Sequence, residues 1–365
     1  MKKLRVLVVE DSLTIRRRFC EILTADPEIE VIGEAEDGKR AIELCESLRP
    51  DVMTLDMVMP VMSGLAATEY IMAYRPTPIL IVSASTNRGE LFKTYDALAA
   101  GAVDVLEKPQ IDDVDATWER RFVAAVKLIA KIKVITHPRA RLSGTERSVV
   151  AVQRSAALVS ASKHSAQQQG RRYGVLAFGA STGGPAAIVT VLRALPQGLP
   201  VPILFVLHID EPFGAAFAEW LDSQTPHRVA YAHDRDPIDS LHGQVIMAPP
   251  GRHLTVGGGR IHLSADPPRH SCRPSVDVLF ESLAVERGAE VLACLLTGMG
   301  RDGAAGLLAI RRAGGFTIAQ DENTSVIYGM PREAVLLGAA QMIVPLDQIG
   351  PEIVRVLAGS EWRTA

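Results

Sequence analysis

The sequence predicts two α/β units joined by a linker: an N-terminal doubly wound parallel sheet of flavodoxin-like order, and a C-terminal α/β sandwich with a mainly parallel sheet. Three observations carry this. In both halves, short β-branched apolar runs alternate with amphipathic helical patterns; strands buried on both faces need such runs, and repeated β-α units imply a parallel sheet. Between about residues 133 and 172 the alternation stops and the composition turns basic and polar. At 365 residues, 47% of them apolar, the chain is long enough for two domains with separate cores.

In the first unit, residues 1–132, strands are expected at Leu4–Val9, Glu30–Gly33, Val52–Leu55, Ile79–Ser83 and Val103–Leu106, with helices near 14–24, 38–48, 64–74, 88–100 and 114–131. In flavodoxin-like order strands one and three are neighbours, and ligands gather beyond their carboxyl ends. Those ends are acidic: Glu10 and Asp11 close strand one and Asp56 closes strand three. Three converging carboxylates call for a cation, and a hard, oxygen-rich, partly hydrated site suits magnesium. The plainer reading makes Asp11 a helix cap and leaves Asp56 solvated. Against it, Ser83 and Lys108 end strands four and five, placing a hydroxyl and an ammonium at the same edge. A carboxylate that receives a phosphoryl group needs such surroundings.

The segment 133–172 carries eight Lys or Arg residues against Glu146 alone, with Gln167-Gln-Gln-Gly-Arg-Arg172 at its end, and reads as a flexible basic linker. Overall net charge is −3, which gives no bulk attraction to nucleic acid or an anionic membrane. Cys20, Cys45, Cys272 and Cys294 stand singly, without a C-x-x-C pair, so neither a disulfide framework nor a zinc ribbon is expected. The single cysteines point to a reducing cytoplasm; the apolar run at Leu4–Val9 is cut by Glu10-Asp11, and no later run is long enough to span a bilayer, so no membrane insertion is expected.

In the second unit, residues 173–362, strands are expected at Val175–Phe178, Pro202–Leu207, Gln244–Met247, Ile261–Ser264, Val291–Leu296 and Phe316–Ala319, with a hairpin-like excursion near 240–265 around Gly257-Gly-Gly259. The first strand runs into Gly179-Ala-Ser-Thr-Gly183, a G-x-S-x-G turn that exposes Ser181 before a helix opened by Pro185. A serine nucleophile needs a base, and the base an orienting group. Of nine histidines, His208 ends the second strand and so reaches the same carboxyl edge; His233, His242, His253, His262 and His270 have no such placement. Asp302, after Leu295–Arg301, arrives there too. Each has an alternative: Ser181 and Asp302 as helix caps, His208 bonded to backbone. The order Ser, His, Asp differs from the Ser, Asp, His of ordinary α/β-hydrolases.

Residues 4–132 resemble response-regulator receiver domains. That resemblance implies that Asp56 is the phosphoacceptor, that Glu10, Asp11 and Asp56 hold Mg2+, and that Ser83 and Lys108 are the switch residues. Val105 stands where such domains carry an aromatic. With the blocks Gly179–Pro185, Pro274–Phe280, Leu296–Ala304, Ala319–Asp321 and Tyr328–Glu333, the chain resembles the chemotaxis protein-glutamate methylesterases over nearly all of both units. The resemblance implies a phosphorylation-regulated serine hydrolase acting on glutamate methyl esters of methyl-accepting chemotaxis receptors, with glutamine deamidation and a chemotaxis histidine kinase as phosphodonor. It implies Ser181, His208 and Asp302 as catalytic residues, Thr182 and Met299 as oxyanion donors, and no cofactor for ester hydrolysis. Ile209-Asp210-Glu211-Pro212 replaces the usual Met-Pro opening, and Cys272 stands where a histidine is common. The competing readings are a non-catalytic signalling adaptor and a serine hydrolase for another ester.

Overall fold

The computed structural model describes residues 2–84, 87–109, 116–132, 134 and 173–358. All but one residue of the expected linker, the seven residues 359–365 at the C-terminal end and the residues after Pro109 before the last receiver helix lie outside these.

The first sheet is built from β1 (Leu4–Val9), β2 (Ile29–Ala35), β3 (Val52–Leu55), β4 (Ile79–Ser83) and β5 (Asp104–Glu107) in the order β2-β1-β3-β4-β5, all parallel. Helices α1 (Leu13–Thr24), α2 (Gly38–Leu48), α3 (Gly64–Tyr74), α4 (Arg88–Ala99) and α5 (Ala116–Ile129) connect the strands or close the unit. β1 and β3 are in register as far as Val9 and Leu55, and the Asp56 amide donates to the Val9 carbonyl at 3.0 Å. Glu10 and Asp56 are therefore fixed side by side. Asp37, Ser63 and Asn87 cap α2, α3 and α4 by accepting from amides three residues on.

The second unit contains β6 (Val175–Ala180), α6 (Gly184–Ala194), β7 (Ile203–Leu207), α7 (Glu211–Gly214), α8 (Phe217–Gln224), β8 (Arg228–Tyr231), β9 (Gln244–Met247), β10 (His253–Gly257), β11 (Arg260–Ser264), α9 (Val276–Glu286), β12 (Val291–Leu295), α10 (Ala304–Arg312), β13 (Phe316–Gln320), α11 (Met330–Leu336), β14 (Met342–Val344) and α12 (Leu346–Ala358). Seven strands form one parallel sheet, β14-β13-β12-β6-β7-β9-β8. The strand Gln244–Met247 belongs to this sheet, whereas Ile261–Ser264 pairs antiparallel with β10 in a separate hairpin turning at Gly258 and Gly259. The excursion is thus shorter than the sequence pattern suggested. Both faces of β6, β7 and β12 are buried, which is what their unbroken apolar runs require.

The two units dock through α4, β5 and α5 of the first. Tyr95 on α4 is fully buried against Phe217, edge to face at 5.2 Å, and against Trp220 at 5.5 Å. Its hydroxyl donates to the Phe213 carbonyl at 2.5 Å, and the Trp220 indole donates to Asp96 at 2.8 Å. Aromatic pairs of this kind add about 0.5–1.5 kcal/mol each beyond the area they bury. Arg88 and Glu219 form an ion pair at the rim.

Candidate functional site

The strand order puts β6 between β12 and β7, so the residues that follow these three strands share one edge. Ser181 follows β6. His208 follows β7, its amide donating to Ala180 O at 3.0 Å, and Leu296 N donates to Gly179 O at 2.9 Å on the other flank. The turn at Ser181 requires its glycines. Gly183 lies in the left-handed region at φ 77°, and a Cβ on Gly298 would sit 2.7 Å from that of Ser181.

His208 Nε2 and Asp302 Oδ2 are 2.8 Å apart. Asp302 does not cap its own helix, which starts after Gly303; its carboxylate lies at the N-terminus of α9. There it accepts from Ser275 Oγ at 2.7 Å, Val276 N at 2.7 Å and Asp277 N at 3.2 Å. Burial alone would raise its pKa, but the His208, Ser275 and Val276 hydrogen bonds outweigh burial and hold it below the usual carboxylate range. The helix dipole acts in the same direction. Ser275 escaped the sequence reading, although a serine just before the apolar run Val276–Phe280 is an N-cap signal.

Burial pulls the His208 pKa down, while hydrogen bonds to Asp302 and Cys272 push it up further, to about 9. Its Nδ1 faces Cys272 Sγ at 3.6 Å. Among the described residues Ser181 makes no hydrogen bond to His208. His270, set aside from the sequence, does reach this region: its Nε2 is 3.2 Å from Asp277 Oδ2, beside Asp302. It gets there because a turn folds the segment before α9 back over the sheet edge, which strand counting could not show. A cavity of about 480 Å³ opens between Cys272, Met299, Arg301 and Glu333.

Thr182 and Met299 follow the ends of β6 and β12. Among the described residues neither backbone amide has an acceptor, so both remain available to an oxyanion. The Thr182 hydroxyl is engaged: it donates to Asp104 Oδ2 of the first unit at 3.1 Å. Burial pushes the Asp104 carboxyl up to about 6. Arg121 of α5 and Asp210 pair at 2.8 Å beside a cleft of about 410 Å³ that also touches Lys108. The departure at Ile209-Asp210-Glu211 therefore meets the first unit.

At the first sheet's edge, Glu10, Asp11 and Asp56 offer oxygens all within 4.8 Å of one another. Lys108 Nζ lies 2.8 Å from Glu10 Oε2 and 3.0 Å from Asp56 Oδ2. Burial and the Asp56 charge still raise Glu10 to about 7, and burial raises Asp56 despite the ammonium. One lysine leaves the acids under-compensated, which is the electrostatic condition for a divalent cation. Ser83 is buried at the end of β4, and its carbonyl accepts from Lys108 N at 3.0 Å.

This is an α/β protein of two units, the first of receiver type and the second with a seven-stranded sheet that gathers a serine, a histidine and an aspartate at one edge. The response regulator receiver domain model matches residues 6–117, and the CheB methylesterase model matches residues 176–353. The chain is 41% identical to protein-glutamate methylesterase/protein-glutamine glutaminase 2 of Anaeromyxobacter dehalogenans, covering 98% of this chain and 97% of that protein. It is 42% identical to the protein of the same name from Pseudomonas aeruginosa, covering 97% of each. The crystal structure of the Thermotoga maritima CheB methylesterase catalytic domain covers 51% of this chain and 100% of its own length at 30% identity, with a TM-score of 0.48. The chain belongs to the protein-glutamate methylesterase/protein-glutamine glutaminase family. Among the described residues no helix is long and apolar enough to cross a membrane.

Proposed function

We propose that the chain is a phosphorylation-regulated serine hydrolase of the cytoplasm that removes methyl groups from glutamate methyl esters on methyl-accepting chemotaxis receptors, and that deamidates specific receptor glutamines by the same acyl chemistry. It divides into a receiver (1–132), a linker (133–172) and a catalytic domain (173–362). The observation that carries the reading is the hydrogen-bonded His208–Asp302 pair at the edge where Ser181 and two unengaged amides also lie.

Ser181 Oγ attacks the glutamyl carbonyl and its proton passes to His208 Nδ1, while Asp302 holds Nε2–H. The Thr182 and Met299 amides take the oxyanion. His208 returns the proton to the leaving methanol or ammonia, and water repeats the sequence to free the glutamate. Release of labelled methanol from methylated receptors tests this; receptors that keep their label would refute it.

In the receiver, Asp56 accepts the phosphoryl group from a chemotaxis histidine kinase, with Ser83 and Lys108 placed to read it. Glu10, Asp11 and Asp56 would hold Mg2+, which when bound neutralises charge on the transferring phosphoryl oxygens. The receiver covers the Ser181 edge and ties Thr182 through Asp104, so docking restrains the site until phosphorylation biases it open.

A base works only when neutral, and the pKa of His208 is raised, so the active form accumulates as pH rises through about 9. The expected kcat/KM, after subtraction of uncatalysed hydrolysis, climbs through that value. A plateau from the ordinary imidazole range upward would contradict the assigned base.

Asp104 supplies a second prediction. In the docked chain burial raises the Asp104 carboxyl to about 6 against the lowering effect of its Thr182 hydrogen bond, so its charge opposes the docked form as pH passes about 6. Asp104→Asn keeps an acceptor for the Thr182 hydroxyl and removes the charge, so unphosphorylated activity at neutral pH should fall severalfold. A rise would show that the Asp104 charge does not oppose closure.

A further inference from the structure

Cys272 has no part in the acyl chemistry, yet its thiol is the group that faces the remaining nitrogen of His208. The chain aims it there. Arg269 and Cys272 exchange backbone hydrogen bonds across a tight turn whose central residues, His270 and Ser271, both have positive φ, at 51° and 64°. That turn delivers Cys272, half-buried, to the wall of the cavity beside Asp302.

We propose that Cys272 Sγ and His208 Nδ1 form a binding site for a thiophilic divalent cation of the Zn2+ class, and that the metal inhibits hydrolysis by occupying the nitrogen that must accept the Ser181 proton. Three features carry this. Bond lengths of about 2.3 Å to sulfur and 2.0–2.1 Å to nitrogen, at a tetrahedral angle, put the two donors about 3.5 Å apart. The observed separation is 3.6 Å. Metal-bound histidines also commonly donate their other ring N–H to a carboxylate, which fixes the tautomer, and His208 Nε2 is already 2.8 Å from Asp302. Finally, His208, Cys272 and Asp302 present donor atoms within 4.8 Å of one another.

Asp302 is saturated by its own donors and serves as the outer partner. Two coordination positions are left for water or for a substrate oxygen. Binding replaces the thiol proton and any proton on Nδ1, both released to solvent, and leaves the Nε2–H in place. The site differs in kind from the receiver carboxylates, whose all-oxygen set suits a harder ion.

The experiment uses the full-length chain in an Asp56→Asn background, which removes one of the receiver carboxylates. Co2+ is the spectroscopic probe and Zn2+ the competitor and inhibitor. One equivalent of Co2+ is expected to give a sulfur-to-cobalt charge-transfer band that Zn2+ displaces. Residual methyl-ester hydrolysis should fall in step with Zn2+ occupancy and recover with EDTA. In Cys272→Ala the band should vanish, and half-inhibition should need at least tenfold more Zn2+ relative to that variant's own metal-free rate. The effect on hydrolysis rests on His208 acting as the base, whereas the band does not. A Cys272-dependent band with hydrolysis unaffected upholds the metal site and overturns the inhibition. Absence of the band, or equal inhibition in Cys272→Ala, overturns the proposal.

Discussion

Ser181→Ala is expected to reduce methyl-ester hydrolysis by on the order of a million-fold, the scale of nucleophile deletion in other serine hydrolases. The reason is positional. The residue sits on a turn whose backbone is held by Ser181 N donating to Thr297 O at 3.0 Å and Gly184 N to Ser181 O at 2.6 Å. Neither bond involves the hydroxyl, so its removal leaves the turn, the sheet and the receiver intact. Thermal unfolding and Asp56 phosphorylation should match the parent, while single-turnover methanol release disappears. Residual activity within about tenfold would mean that the serine is a turn residue and that another group attacks.

The second large effect is Asp302→Asn, expected to cost about ten-thousand-fold in kcat, as loss of the orienting carboxylate does in serine proteases. Every hydrogen-bond partner of Asp302 is a donor: Ser275 Oγ, two backbone amides and His208. An asparagine must turn its NH2 towards some of them. Set opposite His208, it forces the tautomer in which Nδ1 carries the proton, and the ring can no longer accept one there. His208→Gln should remove the same step, and the double variant should be little worse than His208→Gln, since the two act as a unit. Independent, multiplying losses would show that Asp302 serves the N-terminus of α9 alone. Because Asp302 is buried, a thermal-unfolding curve must accompany the kinetics.

Much of this arrangement was legible because strand ends are legible. Apolar runs that stop at Glu10, Asp56, Ser181 and His208, and one that reaches Asp302 through a glycine turn, mark the carboxyl edge of a parallel sheet. What the pattern missed has physical reasons. Arg228–Tyr231 and Met342–Val344 are edge strands of four and three residues, too short for periodicity. His253–Gly257 opens on a buried histidine instead of an aliphatic run, so of the hairpin only β11 shows as a strand, and the expected excursion wrongly takes in Gln244–Met247, which belongs to the main sheet. Ser275, Cys272 and His270 act through a turn that returns to the sheet edge, and Asp104 meets Thr182 across 78 positions of chain. Such contacts are made by tertiary docking, and no local signal announces them. Val105, noted for lacking an aromatic ring, is buried in β5 next to Asp104, which bonds to Thr182.

Methanol release from methyl-labelled receptors, measured with and without acetyl phosphate and Mg2+, decides whether a receiver-gated serine site demethylates receptors. The expected result is a low basal rate with the intact chain, a clear increase on addition of the phosphodonor, no increase in Asp56→Asn, and no release in Ser181→Ala under either condition. Methanol release that is unchanged by the phosphodonor, or that persists in Ser181→Ala, would contradict it.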